Sequence, residues 1–209
     1  KTHIVGLTKY QTVVSLGSVS ENINNVKDKL RHVVDIKSTE GAFAALKDDG
    51  SVIVWGDVNY GGKYNNKQEI IPVNNDDKVI SIISNSRAFV AIKLDGSVIA
   101  WGDSLYGGLI PSEIQNKLKD ITDIKCTKAA FGTILSDRSV VVWGNSLFGG
   151  NSLSIKHLLR EVIDLQSCYD GTFIALNRNG KAISWGIINE VTEYINRILI
   201  SNFTSYILL

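Results

Sequence analysis

Asp95-Gly96-Ser97-Val98-Ile99-Ala100-Trp101-Gly102-Asp103, followed by Tyr106-Gly107-Gly108, is the stretch whose reading decides the fold. It joins a tight-turn dipeptide to an apolar run and then to Trp-Gly. The same order recurs at Asp49-Gly50 to Trp55-Gly56-Asp57 with Tyr60-Gly61-Gly62, at Val140 to Trp143-Gly144-Asn145 with Phe148-Gly149-Gly150, and at Asn179-Gly180 to Trp185-Gly186. The four Trp-Gly pairs lie 46, 42 and 42 residues apart and account for every tryptophan in the 209-residue chain. A period near 40 marks a repeat architecture.

Ahead of each Asp-Gly turn stands a second apolar run: Ala42-Phe43-Ala44-Ala45-Leu46, Ala88-Phe89-Val90-Ala91-Ile92, Ala130-Phe131-Gly132-Thr133-Ile134 and Thr172-Phe173-Ile174-Ala175-Leu176. A third run precedes that, as in Val34-Asp35-Ile36 and Ile80-Ser81-Ile82. Short runs of β-branched and aromatic residues between turn formers read as strands. Glycine supplies the positive φ of the hairpin turn without steric cost. Three antiparallel strands per unit follow. Ser136-Asp137-Arg138 replaces the Asp-Gly turn in one unit, which predicts a less regular turn there.

Partial copies sit at both ends. His3 to Leu7 matches Ala42 to Leu46, and Val13 to Ser18 matches Val52 to Asp57, with Leu16 in the tryptophan place. Ile200-Ser201-Asn202 and Tyr206 to Leu209 match Ile83-Ser84-Asn85 and Phe89 to Ile92. The expected organisation is a single repeat domain over 1–209, with repeat cores near 3–18, 34–62, 80–108, 122–150 and 163–186 and final strands at 198–209. The linkers Glu21 to Leu30, Pro111 to Leu118 and Ser154 to Leu159 predict a helical turn or two outside the sheets. Lys63 to Lys78, with Pro72, reads as an irregular loop.

A three-stranded sheet cannot bury both apolar faces alone, so neighbouring units stack. The expected fold is mainly β, a β-propeller of about five repeats of ~42 residues. Equal phase at the two ends points to a closed five-bladed ring completed by the first strand. An incomplete ring would instead associate through open blade faces.

The unit Ala-Phe-x-Ala-Leu, x-Asp-Gly-x-Val-x-x-Trp-Gly-Asp-x-x-Tyr-Gly-Gly resembles the repeat of the regulator of chromosome condensation superfamily. The resemblance covers nearly the whole chain. It implies a propeller scaffold from a group that includes exchange factors for small GTPases, regulatory repeats of ubiquitin ligases and a β-lactamase inhibitor. The chain departs from that pattern in carrying Phe43, Phe89, Phe131 and Phe173 where the family usually has His, and Gly-Gly where it has Gly-Gln-Leu-Gly. It also holds about five periods where closed relatives usually have seven blades.

Composition narrows the function classes. Net charge is +1, with 22 basic and 21 acidic residues and 44% hydrophobic content. No basic run marks a nucleic-acid footprint, and no stretch of about 18 apolar residues marks a membrane helix. Cys126 and Cys168 fall one residue out of register on neighbouring units, which disfavours a disulfide. Two unpaired thiols favour a reducing, cytoplasmic setting. His3, His32 and His157 lack ligand spacing, and no Gly-x-Ser-x-Gly elbow occurs. No catalytic, metal or cofactor site is expected. The Asn202-Phe203-Thr204 sequon is not expected to be used.

Asp57, Asp103 and Asn145 are expected to cap the following turn. Tyr60, Tyr106 and Phe148 are expected to pack between adjacent blades. Residues that break the repeat are the candidate partner-binding set: Lys63, Tyr64, Asn65, Asn66 and Lys67, continuing into Gln68 and Glu69, together with Arg87 and Lys128. The expected function is a non-catalytic scaffold for protein–protein interaction. Guanine-nucleotide exchange on a small GTPase, through the Lys63 to Lys78 insertion, is one alternative. A structural or adhesive segment of a larger surface or effector protein is another.

Overall fold

The computed structural model describes residues 4–16, 23–72 and 74–187. The expected final strands 198–209 and the sequon fall outside them. Two compact units divide the chain, Lys1–Leu109 and Ile110–Leu209.

The first unit holds three antiparallel sheets. β1 (Ile4–Leu7) pairs with β2 (Val13–Leu16). β3 (Val33–Ser38), β4 (Ala42–Lys47), β5 (Val52–Gly56) and β6 (Glu69–Ile70) form the second sheet in sequence order. β7 (Val79–Ser84), β8 (Ala88–Lys93) and β9 (Val98–Gly102) form the third. The second unit holds two more: β10 (Lys125–Cys126), β11 (Ala130–Ile134) and β12 (Val140–Gly144), then β13 (Val162–Cys168), β14 (Thr172–Asn177) and β15 (Ala182–Gly186).

Both faces of the inner strands are buried, which explains their unbroken apolar runs. Side chains alternate across a strand. Phe43, Ala45 and Trp55 therefore join one core with Val5, Val13, Ile23, Val26 and Leu30. Ala42, Ala44 and Leu46 join another with Ile82, Phe89, Ala91 and Trp101. In the second unit, Ala130 and Val142 pack with Phe173, Ala175 and Trp185. Each Trp lies opposite the Phe of its own sheet, as in Phe89↔Trp101, and stacks on it with ring centroids 5.2–5.6 Å apart. The Phe ring at that position supplies the aromatic face on which the Trp stacks.

Three expectations need correction. The linkers do not lie simply outside the sheets: Val26, Leu30, Leu118 and Leu159 are buried, and Leu30 and Leu159 belong to the cores named above. A short α-helix does form at Ser112–Gln115, with 3-10 turns at Lys27–Lys29 and Leu153–Ile155.

Lys63 to Lys78 is not an irregular loop throughout. Tyr64 and Lys67 bond reciprocally at 2.8 Å around Asn65 and Asn66, whose φ values are 47° and 62°. This is the two-residue hairpin that positive-φ asparagines permit. The chain then runs back along β5 as β6, with Val52 opposite Ile70.

The Ser136-Asp137-Arg138 turn is regular. Leu135 N–H donates to Ser139 O at 2.8 Å and Arg138 N–H to Leu135 O at 2.9 Å, matching Lys47 to Ser51 and Gly50 to Lys47. Arg138 takes the left-handed position at φ 63°, where Gly50, Gly96 and Gly180 have 76° to 82°. A second bond imposes it: Arg138 O accepts Val162 N–H at 3.0 Å, just as Gly50 O accepts Val79 N–H. Left-handed backbone costs a non-glycine residue about 1–2 kcal/mol, partly offset by glycine's larger unfolded entropy. Arg138→Gly is expected to stabilise the fold by about 0.5–1 kcal/mol, read as a higher denaturation midpoint at unchanged slope.

Candidate functional site

The loops that follow each Trp-Gly carry the features that packing alone does not require. Gly56, Gly102 and Gly144 have φ of 105° to 112°, which swings the chain off the strand. Asp57, Asp103 and Asn145 then cap short 3-10 turns, accepting backbone N–H bonds from Asn59, Leu105 and Leu147 at 2.8, 2.9 and 3.0 Å. The capping expectation describes these residues correctly. A left-handed glycine ends each turn.

Each loop is tied down from below. Thr39 Oγ1 donates to Tyr60 O at 2.9 Å, Asn85 Nδ2 to Tyr106 O at 2.7 Å, and Thr127 Oγ1 to Phe148 O at 2.8 Å. Trp101 Nε1 donates to Gly61 O of the preceding sheet at 3.1 Å, and Trp185 Nε1 to Gly149 O at 2.9 Å. The loops are rigid supports, and what they hold outward is apolar. Val58, Leu105 and Leu147 are 54%, 69% and 72% exposed at neighbouring places of the same turn.

The predicted partner-binding residues divide between elements. Lys63, Asn65, Asn66 and Lys67 are exposed around the hairpin. Tyr64 turns inward and meets Trp101 edge-on, 6.1 Å between centroids, so its first role is packing. Gln68 O accepts Val54 N–H, and Glu69 pairs with Lys29 at 2.6 Å. Arg87 belongs to the turn between β7 and β8, close to the capped loops. Its guanidinium carbon lies 5.0 Å from the Tyr60 ring centroid and 4.9 Å from that of Tyr106. The hairpin and the Arg87 turn are separate features of the first unit, joined through the Tyr64–Trp101 contact only in the sense of shared packing. Lys128 occupies the corresponding turn of the second unit, half-buried, with its backbone N–H donating to Tyr169 O at 2.9 Å.

Sequence reading missed the exposed leucines. Their signal was present: Leu105 and Leu147 are large aliphatic residues inside otherwise polar turns. Neither Cys126 nor Cys168 is in a disulfide, and burial pushes Cys126 up to about 11, so it is a poor nucleophile at neutral pH. Among the described residues no cluster of three His, Cys, Asp or Glu is placed to hold a metal, and no helix is long and apolar enough to cross a membrane.

No family model matches the chain, and no curated protein matches it. Solved structures do. Human WBSCR16 aligns with a TM-score of 0.54 at 19% identity, over 88% of this chain and 59% of that one. Prp20p from Saccharomyces cerevisiae, the yeast RCC1, aligns at 0.51 and 18%, over 77% and 45%. The fold is the RCC1-like β-propeller fold. The CRINKLY WD40 ectodomain of the Arabidopsis thaliana receptor kinase ACR4 is similar to the same extent, at 0.56 and 18%, over 90% and 66%. This RCC1-like chain spans less than two thirds of the length of each of these structures. At such identities the likeness concerns the RCC1-like fold alone.

Proposed function

We propose that the chain is a non-catalytic scaffold that binds a protein partner through the loops after its Trp-Gly pairs. The exposed leucines carry this reading. Leu105 and Leu147 sit on turns fixed by a side-chain cap, a left-handed glycine and a buried polar tie, so their exposure is built in. Rigid apolar side chains held in water at low entropy cost suit protein recognition. The RCC1-like fold supports it, since the structure of Prp20p is described together with its binding to Gsp1p and histones.

Nucleotide exchange on a small GTPase is the second reading, drawn from the same relative. It calls for an insertion that projects from a blade as a wedge. Residues 64–70 fold back as a hairpin and a fourth strand, which favours the scaffold. The adhesive reading has no separate structural support.

A photoreactive residue at Leu105 or Leu147 tests the proposal, with Leu94 in the opposite hairpin, 48% exposed, as control. Each loop position is expected to cross-link a protein in the source cells, and Leu94 is not. Equal labelling from all three, or none from the loops, contradicts it. Accelerated nucleotide release from a small GTPase would favour the exchange reading instead.

A further inference from the structure

Arg87 stands where the equivalent turns carry Gly41, Ala129 and Gly171. Small residues belong there because the loop aromatic lies against the spot: a Cβ on Gly41 would come within 2.8 Å of Tyr60, and one on Gly171 within 2.7 Å of Phe148. Arginine is accommodated with its guanidinium carbon over two rings, Tyr60 of the second sheet's loop at 5.0 Å and Tyr106 of the third's at 4.9 Å. Each phenol offers the cation its ring face.

Its hydrogen-bond donors are idle. Nε is buried and has no partner. Asp103 Oδ2 lies 3.7 Å from Nη1, too far for a hydrogen bond, and Asp103 Oδ1 is taken by Leu105 N–H at 2.9 Å. No described residue accepts a bond from the terminal nitrogens. The side chain is nonetheless 38% exposed, so the edge of the fork opens to solvent. Nε is thus the one buried donor left unpaired, while the solvent-facing terminal nitrogens, ion-paired only at 3.7 Å with Asp103, can take an acceptor from outside.

We propose that Arg87, clamped by Tyr60 and Tyr106, binds an Asp or Glu carboxylate of a protein partner through its two terminal nitrogens. This deepens the interaction reading above and rests on it. A planar carboxylate is the acceptor that a guanidinium fork meets in two parallel bonds. Asp103, ion-paired with Arg87 at 3.7 Å, sets a negative charge nearby. It opposes a dianionic phosphate more than a singly charged carboxylate. Contacts with two rings restrain the guanidinium in advance, which lowers the entropy lost on binding.

The test is a titration of the ¹⁵N-labelled chain with a hexaglutamate peptide, observing the Arg87 Nε–H signal, with hexaglutamine and inorganic phosphate as further arms. Hexaglutamate is expected to shift that signal saturably and hexaglutamine to leave it unmoved. Added salt is expected to weaken the binding. Arg87→Lys, which keeps the charge and loses the fork, is expected to bind hexaglutamate about tenfold more weakly. An unmoved signal in the unsubstituted chain overturns the clamp whatever the variant does, and leaves cross-links from Leu105 intact. Phosphate binding as tightly as hexaglutamate overturns the assignment to a partner's carboxylate. A saturable hexaglutamate shift together with failed cross-links supports the Arg87 site and counts against the exposed leucines alone.

Discussion

Trp101→Ala is expected to cost about 3–5 kcal/mol of stability. Trp101 is 4% exposed, stacks on Phe89 at 5.2 Å, takes the edge of Tyr64 and donates its indole N–H to Gly61 O. Alanine leaves a large cavity between two sheets and strips Gly61 O of its donor. For a chain of this size the melting midpoint should fall by about 10 °C. Trp101→Phe separates the two contributions, since a ring remains while the N–H is lost. It should cost about 1–2 kcal/mol. Chemical denaturation with constant slope reads both. A loss under about 1 kcal/mol for alanine would mean that the indole does not couple the sheets.

Gly108→Ala is the second large effect, for a different reason. An added Cβ would lie 2.5 Å from Gly102 C and 2.6 Å from Gly102 O. Those atoms are backbone at a strand end, and they cannot rotate away. Forced shifts of packed backbone cost about 3 kcal/mol or more. Gly150→Ala should behave alike, because Gly144 C and O stand at 2.5 and 2.6 Å. Gly132→Ala is the control: its added Cβ meets only side chains, at 3.0 to 3.3 Å, from Val142 and Phe173. Equivalent positions hold Ala44, Val90 and Ile174, and the expected change stays within about 1 kcal/mol. Denaturation midpoints of the three variants check the order. Equal tolerance at Gly108 and Gly132 would contradict the close approach.

Much of this was legible in the sequence because the repeat averages out local ambiguity. Four Trp-Gly copies, each behind an apolar run and a turn, fixed strand order and phase together. The Gly-Gly pairs were visible as a signature, but their cause was not. It lies in close approaches, with Gly61 against Phe89 of the next sheet and Gly62 over Gly56 of its own. The Arg138 turn was misjudged because local propensity favours glycine, whereas the bond from Val162 to Arg138 O is non-local. The hairpin at Asn65-Asn66 was missed because two asparagines at positive φ carry no hydrophobic pattern. For the candidate site, Arg87 and Lys128 stood out as breaks in the repeat. The two rings that meet Arg87 did not, since Tyr60 and Tyr106 are distant in sequence and read as packing residues.

The central claim is that Trp-Gly recurs as a device coupling neighbouring sheets, leaving the surfaces of its loops for recognition. Hydrogen exchange at the indole N–H groups tests it most directly. Trp101 and Trp185, which donate to Gly61 O and Gly149 O, are predicted to exchange only with global unfolding, at the rate of the most protected strand amides. Exchange of either indole within the dead time of mixing would contradict the claim.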